Sequence, residues 1–333
     1  SGYVVLGAED PDPWLLVTSA YQAVWCRNET TTRRDRVESP SDVIARAGEL
    51  TRKYVGRSDA VATVNVARLM SVGEHARFRD AFSGLHVIDA TESFDALRRI
   101  KTPFEIAALR DHGSVLDASL DVFRDCAHPG MRYWEACART EAFVKAKGSF
   151  WGRTKIALDL TPYTVPAPRD RIMREEDVIN FEIVYESPWG YWLELTTVFS
   201  FHELPDDAQC LLQGYLLAAE AAVAAARSGN RFADVKQATE STLRSLGLPV
   251  AGTHTPDCHS IGLDGSDGPS SEEAPDFELV NGTVLSLHPG AVLERDRGML
   301  ISDNFLVTPE GAERLSPHDA ERYHIEIDRS GRP

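Results

Sequence analysis

The stretch that most constrains this chain is VINFEIVYESPWGYWLELTTVFS, residues 178–200. Its halves, Val178 to Tyr185 and Tyr191 to Phe199, are rich in β-branched and aromatic residues, and Ser-Pro-Trp-Gly separates them. That is the pattern of two strands joined by a turn. A hairpin centred near Pro188 sets Glu182 opposite Glu194. Side chains alternate between faces, so Asn180, Glu182 and Glu186 share a side, as do Trp192, Glu194 and Thr196. Like charges facing each other across a strand pair repel. A fold holds them comfortably only with a cation, a metal or a shared proton between them. The plainer alternative is an edge hairpin with both glutamates in water, because the pattern alone leaves register open.

Around this hairpin the remaining elements fall into order. Strand-like runs at 3–7, 15–18, 60–66 and 85–89 alternate with helical spacing at 42–54, capped by Asp42, and at 73–82; Glu9 to Pro13 reads as a turn and 29–39 as a polar loop. This is the pattern of a small α/β domain. The charged segment 96–103 reads as a boundary, with Pro103 opening a helix to about Asp125. A second helix is expected over 131–147, an extended segment over 151–160 and a proline-rich loop over 161–171. Beyond the hairpin, 206–227 and 230–246 read as helices, and 248–275 as a loop rich in Gly, Ser, Asp and Pro. A second hairpin over 283–308, turning at Asp296-Arg297-Gly298 with its centre at Arg295, brings His288 opposite Ser302. The tail after Pro317 is polar.

Charge and cysteine usage narrow the partners. Net charge is -16, and an acidic surface repels phosphate backbones, so a nucleic-acid partner is not expected. The five cysteines, at 26, 126, 137, 210 and 258, form no CxxC pair, so neither a disulfide framework nor a thiolate zinc knuckle is indicated and a reducing, cytoplasmic setting is expected. No run of 18 apolar residues occurs, so no membrane span is expected. The opening Ser-Gly runs straight into strand-like sequence, as expected of a chain whose natural beginning lies further upstream.

Four residues stand out chemically: Glu182, Glu194, His259 and His288. Carboxylate oxygen and neutral imidazole nitrogen are ligands for Zn²⁺, Fe²⁺ or Mn²⁺. The same four groups suit a substrate ammonium or guanidinium, with a histidine as general base. Spacing does not bring them together, and each histidine also has a structural reading, His259 in a turn-rich stretch and His288 as a strand end before Pro289. Lesser candidates are Cys258, His254, and Trp189, Tyr191 and Trp192 as an aromatic wall for a cation.

Five segments together resemble the creatinase/aminopeptidase P/prolidase superfamily, peptidase family M24. They are LRRIKTPFEIAALRDHG at 97–113, the hairpin extended to Phe201, DCHSIGLDGSDGP at 257–269, TVLSLHPG at 283–290 and GMLISDNFLVTPEGAERLS at 298–316. The resemblance implies an α+β pita-bread domain over 97–333, preceded by a creatinase-like α/β domain over 1–96 that is short at its start. It implies a homodimer and a small-molecule substrate. The family's dinuclear centre uses two aspartates, a histidine and two glutamates. By resemblance these fall on Glu182, Glu194, His259, His288 and Ser302, so only the histidine is unchanged. The usual substrate-side histidine falls on Ser266, beside Asp267. The loop before the first metal strand, LTPYTVPAPRDRI at 160–172, contains no histidine; Tyr163 and Arg169 are its polar stand-ins.

The altered set implies no cofactor, or one divalent Fe, Mn or Zn. The first expectation is a creatinase-like hydrolase acting at a C–N bond of a cationic or amide-type molecule. The alternatives are a mononuclear metal-dependent lyase or oxygen-using enzyme, an inactive binding module and an Xaa-Pro dipeptidase. A composition high in Ala, Arg and Asp hints at a bacterial source.

Overall fold

The computed structural model describes residues 2–56, 60–158, 170–248, 250, 258–268, 273–294, 297–317 and 323–327. Its contacts group into two units, 1–96 and 97–333. In the first, β1 (Gly2–Gly7) and β2 (Asp10–Val17) pair antiparallel. Helix α1 (Ala20–Glu29) follows, then β3 (Val37–Glu38), parallel to β2. Next come α2 (Val43–Tyr54), β4 (Ala60–Thr63), α3 (Val66–Leu69), α4 (Val72–Ala81) and β5 (His86–Asp89), with β4 and β5 parallel. Asp42 caps α2 as the sequence indicates, its carboxylate accepting from the Ile44 and Ala45 N–H groups. The core of this unit is Leu16, Val43, Ile44, Ala47, Leu50, Phe78 and Phe82.

Three expectations change here. The turn read at Glu9 to Pro13 is shorter, because strand pairing resumes at Asp10. Pro11 and Pro13 are tolerated because β3 reaches only Leu15 and Leu16, so that half of β2 needs no donor on its second edge. Helix α1 has no counterpart among the elements expected from the sequence; Ser19 caps it by accepting from Gln22 N–H. The charged segment read as a boundary lies partly in a helix, α5 (Thr91–Arg99).

The second unit opens with α6 (Pro103–Cys126). Its start is over-determined: Pro103 stands at the first turn, and Thr102 and Glu105 cap each other's backbone N–H. Leu109, Leu116, Leu120 and Phe123 recur at helical spacing and are fully buried. After α7 (Tyr133–Ala146) come β6 (Gly152–Leu158), β7 (Val178–Glu186) and β8 (Trp192–Ser200), all antiparallel neighbours. The inward face of this sheet, Phe181, Ile183, Tyr185, Leu195 and Phe199, packs on α6 and α7. The opposite face carries the polar residues.

Then α8 (Asp206–Ala225) and α9 (Phe232–Ser245) precede β9 (Cys258–Ser260), β10 (Val284–Leu287), β11 (Gly290–Glu294), β12 (Arg297–Leu300), β13 (Asp303–Val307), β14 (Ala312–Arg314) and β15 (His324–Glu326). The two larger sheets run β15-β8-β7-β6 and β14-β13-β10-β9. Among the described residues, α8 is long and apolar enough to cross a membrane. It is a core helix here, burying Leu211, Leu212, Tyr215 and Ala218. The expected turn Asp296-Arg297-Gly298 is displaced: Arg297 and Gly298 already belong to β12, and residues 295–296 lie outside the described set. The pairing of Leu287 with Asp303 keeps the expected midpoint at position 295.

The central hairpin corrects the sequence reading. Glu182 lies opposite Thr196, and Glu194 opposite Val184. The loop explains the shift. Gly190 N–H donates to Ser187 O, Ser187 N–H to Tyr191 O, and Gly190 has φ +80. That is a three-residue loop with a left-handed glycine, not a turn centred on Pro188. The register moves by two residues, so every face assignment survives, and the two glutamates become diagonal neighbours on one face.

Candidate active site

The polar face is built in rows across strands. One row runs Lys155, Glu182, Thr196, Ser302, through β6, β7, β8 and the residue before β13. The adjacent row holds Val184 and Glu194. In the second sheet His259 on β9 pairs with Ser286 on β10, and His288 follows two residues on, so it shares that face. The sheets are stitched at Thr196 and Ser302 by reciprocal backbone hydrogen bonds and a 2.6 Å contact between the two hydroxyls. Asn304 pins the neighbouring point: its side-chain amide donates to Glu194 O and accepts from Glu194 N–H. Asn180 does the same for Leu300.

These pins bring together three of the four singled-out side chains. Glu194 Oε1 lies 3.1 Å from His259 Nε2 and 2.9 Å from His288 Nε2, and the two Nε2 atoms are 3.1 Å apart. The rings stack at 5.1 Å between centroids. Ser286 Oγ also lies 3.1 Å from His288 Nε2. Glu182 does not touch the triangle; its carboxylate is paired with the Lys155 ammonium. The coupling to Glu194 is through space, as neighbouring charges.

Burial splits the two carboxyls in opposite directions. Burial raises the pKa of Glu182, the nearby Glu194 charge raises it further, and Lys155 only partly offsets them. Burial also acts upward on Glu194, but the charges and hydrogen bonds of His288 and His259 outweigh it and hold Glu194 well below the usual carboxylate range. His259 is the mirror case: burial acts downward, and Glu194 overcomes it and raises the imidazole.

The donor geometry fits one small cation. His259 Nδ1 is 3.1 Å from the Ser260 carbonyl, an acceptor only, so that nitrogen carries the proton. In the neutral ring Nε2 then presents a lone pair to a carboxylate 3.1 Å away. Two lone pairs at that separation require a proton or a cation between them. Donors bonded at about 2.1 Å and about 90° apart stand about 3.0 Å from one another, the spacing of a two-histidine, one-carboxylate face. The observed sides are 2.9, 3.1 and 3.1 Å. Among the described residues these three are the group of ligand-type side chains close enough to share an ion.

Other expectations resolve differently. Cys258 is fully buried among Leu279, Leu285, Leu287 and Phe305, a core thiol on the face of β9 opposite to His259. The aromatic wall does not form: Trp189 is exposed at the loop tip against Phe104, and Tyr191 donates to Glu105. Ser266 is exposed, whereas Asp267 is buried in an ion pair with Lys101 at 2.7 Å. His254, Tyr163 and Arg169 lie outside the described residues. Lys155, Ser286 and Asn304 were not singled out in the sequence. Lys155 carried no local signal: strand parity puts it on the same face as Ala157 and Arg153, and that face becomes part of the site only once β6 is paired with β7.

Comparison with known proteins adds three findings. The sequence pattern described as "Metallopeptidase family M24" matches residues 107–309. Among curated relatives, "Uncharacterized hydrolase/peptidase y4tL" of Sinorhizobium fredii is 26% identical over 259 residues, 74% of this chain and 64% of that protein. "Probable dipeptidase PepE" of Mycobacterium tuberculosis is 27% identical over 248 residues, 72% of this chain and 64% of that protein. Each alignment thus spans just under two thirds of the relative's length. Among solved structures, the X-Pro aminopeptidase of Thermotoga maritima superposes with TM-score 0.80 at 19% identity, covering 97% of this chain and 90% of that one. Dipeptidase PepE of Mycobacterium ulcerans gives TM-score 0.79 at 21% identity, covering 98% and 87%. At such identities the likeness shows the fold, which is the α+β pita-bread arrangement expected from the sequence.

Proposed function

This chain belongs to metallopeptidase family M24, and from that premise we propose that it is a peptidase-type hydrolase cleaving a C–N bond of a small molecule at a centre suited to a single divalent ion. The Glu194–His259–His288 triangle carries the reading. Relatives named as peptidases and dipeptidases support the hydrolase class. The family's two-ion clamp finds little support, since Ser302, at the place of the last ligand, spends its hydroxyl on Thr196. When bound at the triangle, an ion would supply Lewis-acid polarisation and an acidified water.

The chain's own residues divide the remaining work. Glu194, held ionised, fixes both imidazoles in place. Ser260 O fixes the tautomer of His259. Glu182 is the proton carrier, because its carboxyl is buried beside a second carboxylate, and both effects raise its pKa. In the hydrolysis it takes a proton from the attacking water as the O–C bond forms, and returns it to the leaving nitrogen as the C–N bond breaks.

The test is a panel of Xaa-Pro dipeptides, amides and amidines, scored for amine or ammonia release by protein reloaded with one equivalent of Mn²⁺, Zn²⁺ or Fe²⁺. Glu182→Gln is expected to abolish turnover with the ion count unchanged, and Glu194→Gln to lower both. Loss of ion binding in Glu182→Gln, or full activity in Glu194→Gln, would overturn these roles. The same triangle also favours a second reading, oxygen chemistry at Fe²⁺; substrate-dependent oxygen uptake by Fe²⁺-loaded protein, without amine release, would select it.

A further inference from the structure

The row containing Glu182 carries a feature the single-ion reading leaves unused. Lys155 is the cross-strand partner of Glu182, and its ammonium is paired with that carboxylate. The glutamate side chain is 4% exposed and the lysine 24%, so the pair sits at the inner edge of the site and not on open surface. The same row continues to Thr196 and Ser302, whose hydroxyls satisfy each other. Among the described residues, Glu182, Thr196 and Ser302 are therefore each already engaged by a neighbour in their own row. We propose that the Lys155 ammonium is a built-in replacement for a second metal ion, locking Glu182 out of metal ligation and limiting the centre to one ion at Glu194, His259 and His288. The inference rests on the reading of that triangle as an ion site.

Charge counting supports it. The centre holds two carboxylates, Glu182 and Glu194, and one ammonium, with the imidazoles neutral when they ligate. That is a net charge of -1, which one divalent ion would turn to +1. Two divalent ions would leave +3 among largely buried groups, and uncompensated buried charge is strongly unfavourable. A lysine is a sound choice for such a substitution because its charge is compact and its stem is long enough to reach across a strand pair. The arrangement also predicts what removing the ammonium does. Glu182 would then be a buried carboxylate without its ion-pair partner, diagonal to Glu194, and with Mn²⁺ in excess a second cation competes with a proton to neutralise it.

The experiment is a Mn²⁺ titration of the metal-stripped full chain, read by bound-metal stoichiometry and by the electron-spin signature of coupled manganese pairs. The chains are wild type, Lys155→Ala, Lys155→Gln, Lys155→Arg and the double variant Lys155→Ala/Glu182→Gln. Far-UV circular dichroism checks each fold, and Lys155→Gln, which keeps most of the side chain, serves if the alanine variant does not fold. The expected result is one ion in wild type and in Lys155→Arg, two coupled ions in Lys155→Ala or Lys155→Gln, and one again in the double variant. None in wild type but one in Lys155→Ala, lost in the double variant, would uphold the lysine's role while refuting the triangle as an ion site. Two ions in wild type, or an unchanged count on removing Lys155, including none throughout, would overturn the inference. The panel for C–N cleavage tests the hydrolase reading separately.

Discussion

His112 offers a pH-dependent prediction whose size follows from its surroundings. It is buried on α6, where its Nε2 lies 2.8 Å from the Tyr185 carbonyl at the end of β7, and its Nδ1 has no hydrogen-bond partner among the described residues. Burial pushes its pKa down from 6.5 to about 4, with the Tyr185 contact only partly offsetting the shift. The folded state therefore holds His112 neutral, with Nε2–H donating to Tyr185, while the unfolded chain protonates it near its ordinary value. The sign is clear: stability is full above the unfolded pKa and is lost as pH falls toward the folded one. At about 1.4 kcal/mol per unit, the loss from this residue is about 2 kcal/mol at pH 5 and about 3.4 kcal/mol once pH is well below 4. His112→Gln removes the titration and keeps a side-chain N–H for the Tyr185 carbonyl. Urea unfolding followed by tryptophan fluorescence at pH 7.5 and pH 5 is expected to show wild type losing about 2 kcal/mol more than the variant across that interval. Other titrating groups are common to both proteins, so the difference isolates His112. Equal losses in the two would refute the argument that this imidazole is held neutral by burial.

Two further perturbations probe what holds the site in place. Asp267→Asn breaks the buried pair with Lys101 that fastens the segment after His259, with an expected cost of about 3–5 kcal/mol in denaturant unfolding and a smaller one for the matched apolar pair Lys101→Met/Asp267→Leu. Ser302→Ala leaves the buried Thr196 hydroxyl without its 2.6 Å partner; a cost of about 1–3 kcal/mol in the same measurement is expected, with bound-metal stoichiometry unchanged.

The fold was legible because its signals are local. Pro103 and the Thr102–Glu105 box announce α6, and alternation in 178–200 announces a hairpin whose apolar side must face a helix. Segment order then sufficed for the family. Register was less legible, since it depends on how many residues the Ser187–Tyr191 loop uses, and that follows from one left-handed glycine. An error of two residues preserves faces, which is why Glu182 and Glu194 still share a face, and Glu194 still meets His259 and His288, although the pairing drawn between the glutamates was wrong.

Lys155 was illegible for a deeper reason. A lone lysine in RTKIAL is a solvated side chain by every local rule, and its meaning arises only when β6 sets it opposite Glu182. The requirement itself could be read from the glutamates: two carboxylates on one buried face need positive charge. The identity of that charge could not, because sequence spacing treats a metal ion, an imidazolium and an ammonium alike. The structure resolves the demand unevenly. Glu194 meets two imidazoles at ligand spacing, whereas Glu182 meets an ammonium from the neighbouring strand. That asymmetry is what the proposed division into an ionised anchor and a proton carrier rests on, and such a division would favour chemistry at one ion over a symmetric clamp on two.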